Sequence, residues 1–216
     1  VHIVAGDTKV VERGGADGMF ITTAGAGWVP ADVDISGANA RPGDIVLLSG
    51  TVGDHGIAVL SEREGLGFET ELRSDVAPLN GLVAAILEAA PGAVHALRDP
   101  TRGGLATALN EIAMQSGVSI ELEEAHIPIH PAVRSACEML GLDPLYVANE
   151  GKLVACVAPE AAEDVLTAMR AHPYGESAAI IGQVEEGPGG QVTLHTPIGG
   201  TRVLDMLAGE MLPRIC

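Results

Sequence analysis

A thiol at residue 216 and four loops that mix glycine with carboxylate, hydroxyl or cation are the groups in this sequence suited to chemistry. Cys216 follows Pro213-Arg214-Ile215. A chain end frays, so its sulfur is open to reagents in a way that a packed cysteine is not. Arg214 sets a cation beside the sulfur and favours thiolate against the opposing terminal carboxylate, while Pro213 stiffens the approach. A terminal thiol alone is a weak signal. In this setting it reads as a tethered nucleophile that must be carried to a site elsewhere in the chain.

Gly6-Asp7-Thr8-Lys9 follows an apolar run and offers close backbone approach, a metal ligand, a hydroxyl and a counter-charge, a set suited to phosphate and Mg2+. The same residues also suit a simple Asx turn. Arg98-Asp99-Pro100-Thr101-Arg102-Gly103-Gly104-Leu105 lies between an expected strand and helix, where free amides and two arginines suit an anion. N-capping by Asp99 or Thr101 is the alternative. In Gly53-Asp54-His55-Gly56 the simpler reading is that Asp54 caps a helix and His55 is exposed. Tyr146-Val147-Ala148-Asn149-Glu150-Gly151-Lys152 puts an Asn-Glu pair in a turn ahead of a buried strand, where loss of water would suit Glu150 to accept a proton. A solvated turn is the alternative there. Of the twelve Lys and Arg residues only Lys9 and Lys152 are lysines, and both fall in these loops.

Other patterns carry less. His126 and His130 have ligand-like spacing, but Pro128 breaks a helix between them and no third ligand lies nearby, so no zinc site is assigned. There is no Walker A pattern, no G-x-G-x-x-G after a strand, no H-E-x-x-H and no G-x-S-x-G.

The elements that must position these loops follow from apolar periodicity. Strands are expected near 1–5, 18–24, 44–49, 93–97, 118–123, 152–158 and 178–184. Helices are expected near 56–63, 76–90, 103–115, 131–140 and 159–171. Val192–Thr196 and Thr201–Met206 flank Pro197-Ile198-Gly199-Gly200 as a hairpin. The segment from Trp28 to Pro42 is a candidate domain boundary. The final residues, 208–216, reach roughly 30 Å if extended. The fold class is a mixed α/β domain.

A chain of 216 residues with 47% hydrophobic content holds a full core. A net charge of −17 repels nucleic-acid phosphates and anionic membrane surfaces, so neither is expected as partner. Any bound phosphate must be held locally. Two Phe, two Tyr and one Trp leave no platform for stacked bases. Three cysteines without a C-x-x-C pair indicate a reducing compartment, and with no apolar span or leader the cytoplasm is the expected location. Val1-His2-Ile3-Val4 begins inside an apolar strand pattern without Met, so the sequence is expected to be the C-terminal part of a longer protein.

Taken together, Gly6-Asp7-Thr8-Lys9-Val10-Val11, Gly50-Thr51-Val52-Gly53-Asp54-His55-Gly56, Asp99-Pro100-Thr101-Arg102-Gly103-Gly104, Asn149-Glu150-Gly151-Lys152 and the terminal Pro-Arg-Ile-Cys resemble the HypE family of hydrogenase maturation factors. That family belongs to the ATP-dependent superfamily of aminoimidazole ribonucleotide synthetase and selenophosphate synthetase. The resemblance implies a remnant of an N-terminal nucleotide-binding domain over 1–38, a three-layer α/β/α domain over 39–190, and a hairpin with a flexible tail over 191–216. It implies that Cys216 receives a carbamoyl group from the carbamoyltransferase HypF, and that ATP with Mg2+ drives dehydration of this thiocarboxamide to thiocyanate. The nitrile would then pass to the iron of a [NiFe]-hydrogenase precursor on the HypC–HypD scaffold.

The implied roles are Glu150 as base, Lys9 to orient it or offset charge, and Asp7, Thr8, Asp99, Arg102 and Gly103 for nucleotide phosphate, with Asp7 and Asp99 on Mg2+ and Asn149 at the thiocarboxamide. His55 matches a family motif without a derivable role. A homodimer is expected, and the fragment alone should be weakly active or inactive. Two other readings stay open: another superfamily enzyme that phosphorylates an amide or selenide, and a non-catalytic docking fragment for maturation partners.

Overall fold

The computed structural model describes residues 2–16, 18–31, 33–65 and 72–207. They fall into two compact units, one within Val1–Ala31 and one within Asp32–Cys216. In the first, the strands expected near 1–5 and 18–24 are not formed among the described residues. A strand exists only where a neighbour completes its hydrogen-bond ladder, and the backbone bond described there, Gly15 N–H to the Glu12 carbonyl at 2.8 Å, closes a turn.

The second unit is built on a seven-stranded sheet. In chain order its elements are β1 (Ile45–Leu48), α1 (Asp54–Glu64), α2 (Asn80–Ala89), β2 (Val94–Arg98), α3 (Gly104–Ser116), β3 (Ser119–Glu123), α4 (Pro131–Leu140), β4 (Val154–Val157), α5 (Ala162–Ala171), β5 (Ala179–Glu185), β6 (Gln191–His195) and β7 (Thr201–Val203). The strand order is β2-β4-β1-β5-β3-β6-β7. Every neighbouring pair is antiparallel except β3 and β6.

Period-two alternation sorts the side chains into two cores. Val46 and Leu48 of β1, with Val154 and Cys156 of β4, face α3 through Leu105, Leu109 and Ile112. Leu47, Ala155 and Val157 point the other way, onto Leu82 and Ile86 of α2 and onto Val165 and Met169 of α5. The expected three-layer α/β/α arrangement is therefore present. A third cluster, Ile57, Val133, Ala136, Cys137 and Val147, joins α1 to α4. Each fully buried Leu or Ile here contributes about 1.5–3 kcal/mol of transfer free energy.

The helix expected from residue 76 begins at Asn80. Pro78 disfavours the helical region at the residue before it, so 72–78 stays irregular. The hairpin forms as read, with Thr193 opposite Val203 and His195 opposite Thr201. Beyond it, buried Asn110 of α3 donates to the Leu204 carbonyl at 2.8 Å, and the Tyr146 hydroxyl donates to the Asp205 carbonyl at 3.0 Å. These bonds fix where the chain leaves the domain. Cys216 and the rest of the tail lie outside the described residues. Among the described residues no helix is long and apolar enough to cross a membrane.

Candidate active site

β4 runs antiparallel between β1 and β2, so its first residue meets the last residues of both: Val154 pairs with Leu48 and with Arg98. This pairing gathers the loops 49–53, 99–103 and 149–152 at one end of the sheet. Asn149, 1% exposed, rivets them together. Its Oδ1 accepts from Gly53 N–H at 2.8 Å, and its Nδ2 donates to the carbonyls of Pro100 at 2.9 Å and Val147 at 3.1 Å. Both amide hydrogens are thus spent on the main chain. Asn149 thereby holds the three loops in register. Gly104, at φ 62°, sits so close to the 145–147 segment that a Cβ there would come within 2.5 Å of the Leu145 carbonyl oxygen.

Asp99 and Thr101 do not cap α3; no side chain does. The Thr101 hydroxyl instead donates to Asp99 Oδ2 at 2.7 Å, and both Asp99 and Arg102 are exposed beside the helix start, with Gly103 as its left-handed N-cap. Arg98 is engaged by Glu111. Asp54 is the first residue of α1 rather than its cap, and it accepts a hydrogen bond from the Thr51 hydroxyl. Burial pushes its carboxyl above the ordinary 3.8, against the lowering effects of the Thr51 hydroxyl and the Lys152 charge. His55, expected on the surface, is 8% exposed, with Nδ1 2.8 Å from Ser74 Oγ. Its first-turn position in α1 turns it inward.

A cleft of about 320 Å3 opens beside these loops, lined by Gly50, Thr51, Ser74, Asp75, Lys152 and Tyr174 among others. One wall is the 72–78 segment. Asp75 Oδ1 accepts from the Glu150 backbone N–H at 3.0 Å, and Asp75 Oδ2 lies 3.4 Å from Lys152 Nζ. Glu150 is half-buried, and its Oε1 is shielded from water with no hydrogen-bond partner among the described residues. A buried carboxylate oxygen without a partner keeps its hydrogen-bonding capacity unspent.

Sequence reasoning missed Ser74 and Asp75, because their segment has neither periodicity nor motif. The one available signal was Pro78, which disfavours a helical conformation at the residue before it.

Asp7, Thr8 and Lys9 lie in the first unit, in an exposed segment where Asp7 Oδ1 accepts from Thr8 N–H at 2.9 Å. Among the described residues no three His, Cys, Asp or Glu side chains converge as metal ligands. Two cysteines are core residues: burial pushes Cys137 up to about 11 and Cys156 up to about 12, aided by Asp143 and Asp44 respectively, so both stay as inert thiols.

Residues 41–195 match the family described as AIR synthase related protein, C-terminal domain. The chain belongs to that family. Its likeness within the family is to HypE proteins. It is 62% identical to the carbamoyl dehydratase HypE of Cupriavidus necator over all 216 of its residues and 61% of that protein's length. A crystal structure of HypE in complex with ATP superposes with a TM-score of 0.80 at 50% identity, covering 84% of this chain and 55% of the other. A crystal structure of a HypE–HypF complex gives a TM-score of 0.76 at 50% identity, covering 79% and 55%. The chain thus spans about three-fifths of the length of the relative it matches.

Proposed function

We propose that the complete protein uses ATP to dehydrate a carbamoyl group, carried on Cys216 as a thiocarboxamide, to thiocyanate, and so supplies cyanide for the iron of a [NiFe]-hydrogenase precursor. One arrangement carries this reading. Glu150 offers an unpartnered carboxylate oxygen in a loop riveted by Asn149, and four residues before it Tyr146 holds the Asp205 carbonyl, where the chain departs towards Cys216. The nine residues from Ala208 to Cys216 span up to roughly 30 Å, enough to bring the sulfur back to that loop.

The residues present suit a nucleotide phosphate: α3 begins without a side-chain cap, and Arg102 is exposed beside its start. Asp99 is a carboxylate suited to one position on Mg2+, which takes few protein ligands and completes its shell with water and phosphate oxygens. Asp7, Thr8 and Lys9 carry the same chemistry in the first unit. When bound, ATP supplies the phosphoryl group that turns the carbamoyl oxygen into a leaving group.

Cys216 Sγ holds the carbon throughout. The nitrogen gives up both hydrogens: one proton passes to solvent as the oxygen is phosphorylated, and Glu150 accepts the second, whose loss forms the C–N triple bond as the oxygen departs with phosphate. The buried Asn149 contacts hold that carboxylate in place without solvent reorganisation. HypF as carbamoyl donor is supported by the solved HypE–HypF complex of a relative. A HypC–HypD scaffold as acceptor, a homodimer and a cytoplasmic setting complete the proposal.

The carrier role is tested with labelled carbamoyl donor on the full-length protein. Cys216→Ala should incorporate no label, and label retained on that variant would remove Cys216 from the account.

A further inference from the structure

The 72–78 segment does more than wall the cleft. It crosses the site loop at Gly151, so closely that a Cβ on residue 151 would overlap the Asp75 carbonyl oxygen. The crossing delivers a carboxylate that is 2% exposed. Burying a carboxylate so deeply opposes folding unless its charge is used there. Asp75 has two attachments, one from each oxygen: Oδ1 takes the Glu150 backbone N–H at 3.0 Å, and Oδ2 faces Lys152 Nζ at 3.4 Å. The Lys152 stem is lodged against the main chain, since a Cβ on Gly50 would come within 3.0 Å of Lys152 Cε. Only the direction of its ammonium is then left to be set, and Asp75 sets it.

The segment is itself latched. Ser74 Oγ accepts from Val76 N–H at 3.3 Å and shares a hydrogen bond with His55 Nδ1 at 2.8 Å, which ties the crossing to the first turn of α1. Among the described residues, three of the buried side-chain polar atoms that lack a hydrogen-bond partner are His55 Nε2, Glu150 Oε1 and Asp75 Oδ2, the last met only by the Lys152 charge. They belong to this one connected set. Native interiors leave few such atoms, and where they gather the capacity is usually reserved for a ligand or a proton.

We propose that Asp75 is a positioning residue that holds Lys152 and the Glu150 main chain in register, and that the Ser74–His55 hydrogen bond latches the segment that carries it. As a statement about the reaction this rests on the dehydratase reading; as a statement about the clamp it stands alone.

Two measurements on the full-length protein separate these parts. The first is acylation of lysines by an amine-reactive ester, quantified by peptide mass spectrometry, with exposed Lys9 as the internal reference. Loss of the opposite charge frees the amine, so Asp75→Asn should label Lys152 about tenfold faster relative to Lys9. Ser74→Ala, on an exposed residue that leaves no buried charge unpaired, should move the ratio the same way. His55→Phe should follow Ser74→Ala, whereas His55→Asn, which can offer a polar atom at the Nδ1 position, should restore the wild-type ratio.

The second is steady-state dehydration, in which Asp75→Asn should lower kcat about tenfold with KM for ATP unchanged. An unchanged Lys152-to-Lys9 ratio in Asp75→Asn and Ser74→Ala would overturn the clamp. A raised ratio with unchanged kcat would overturn its part in the reaction. If the wild-type protein performs no dehydration, the function proposal fails while the labelling ratios still decide the clamp.

Discussion

Two carboxylates at the site, Glu150 and Asp54, carry different expectations, and each can be measured. Glu150 is the proton acceptor in the proposed chemistry, so Glu150→Gln keeps the shape and removes the base. ATP binding by the full-length variant should match wild type, while thiocyanate formation falls by about 10^2 to 10^4. Undiminished dehydration would take Glu150 out of the reaction.

Asp54 is a structural liability. Because burial raises its folded value above the ordinary 3.8, the folded chain holds the proton more tightly than the unfolded one does. The residue therefore supports folding at pH below 3.8 and weighs against it once pH has passed the raised value. Asp54→Asn keeps an acceptor for the Thr51 hydroxyl and removes the charge. The variant should melt above wild type at pH 7, with the gap closing as pH drops below 3.8. A gap of equal size at both ends would show that the charge is not its cause.

At the scale of elements, the sheet and its loops were legible because their signals are local. β1, β4 and β5 are short apolar runs between breakers, and α4 and α5 show helical spacing, so their positions follow from the residues themselves. The loops 49–53, 98–104 and 149–152 announced themselves by glycine beside charge.

What stayed hidden depends on contacts across the chain. Asp75 meets Glu150 across 75 residues of sequence, and Asn149 spends its amide on carbonyls that no local pattern predicts. His55 reads as exposed from its local sequence, but it is buried, and its partner Ser74 lies 19 residues further along the chain. The strands expected near 1–5 and 18–24 fail for the opposite reason: their local pattern is good, but among the described residues no partner completes their ladder. Gly151 is where element and site meet. Gly151→Ala forces a Cβ into the Asp75 carbonyl, and should cost about 1–3 kcal/mol in denaturant unfolding. A stability equal to wild type would mean that the 72–78 crossing is looser than described.

For the molecule as a whole, a net charge of −17 means that in the proposed function phosphate is held by local groups: Arg102 beside the uncapped start of α3, and Lys9 in the 6–9 loop. The proposed division of labour then spans the chain, with a carbon carrier at residue 216, a base at 150 and phosphate-binding groups near 99–104 and 6–9. That separation is why the carrier decides the account. The most direct measurement is the mass of the C-terminal peptide of the full-length protein after incubation with carbamoyl donor, with and without ATP. Donor alone should add one carbamoyl group to Cys216, and donor with ATP should leave that adduct lighter by one water. An adduct on any other residue, or one whose mass ATP does not change, would contradict it.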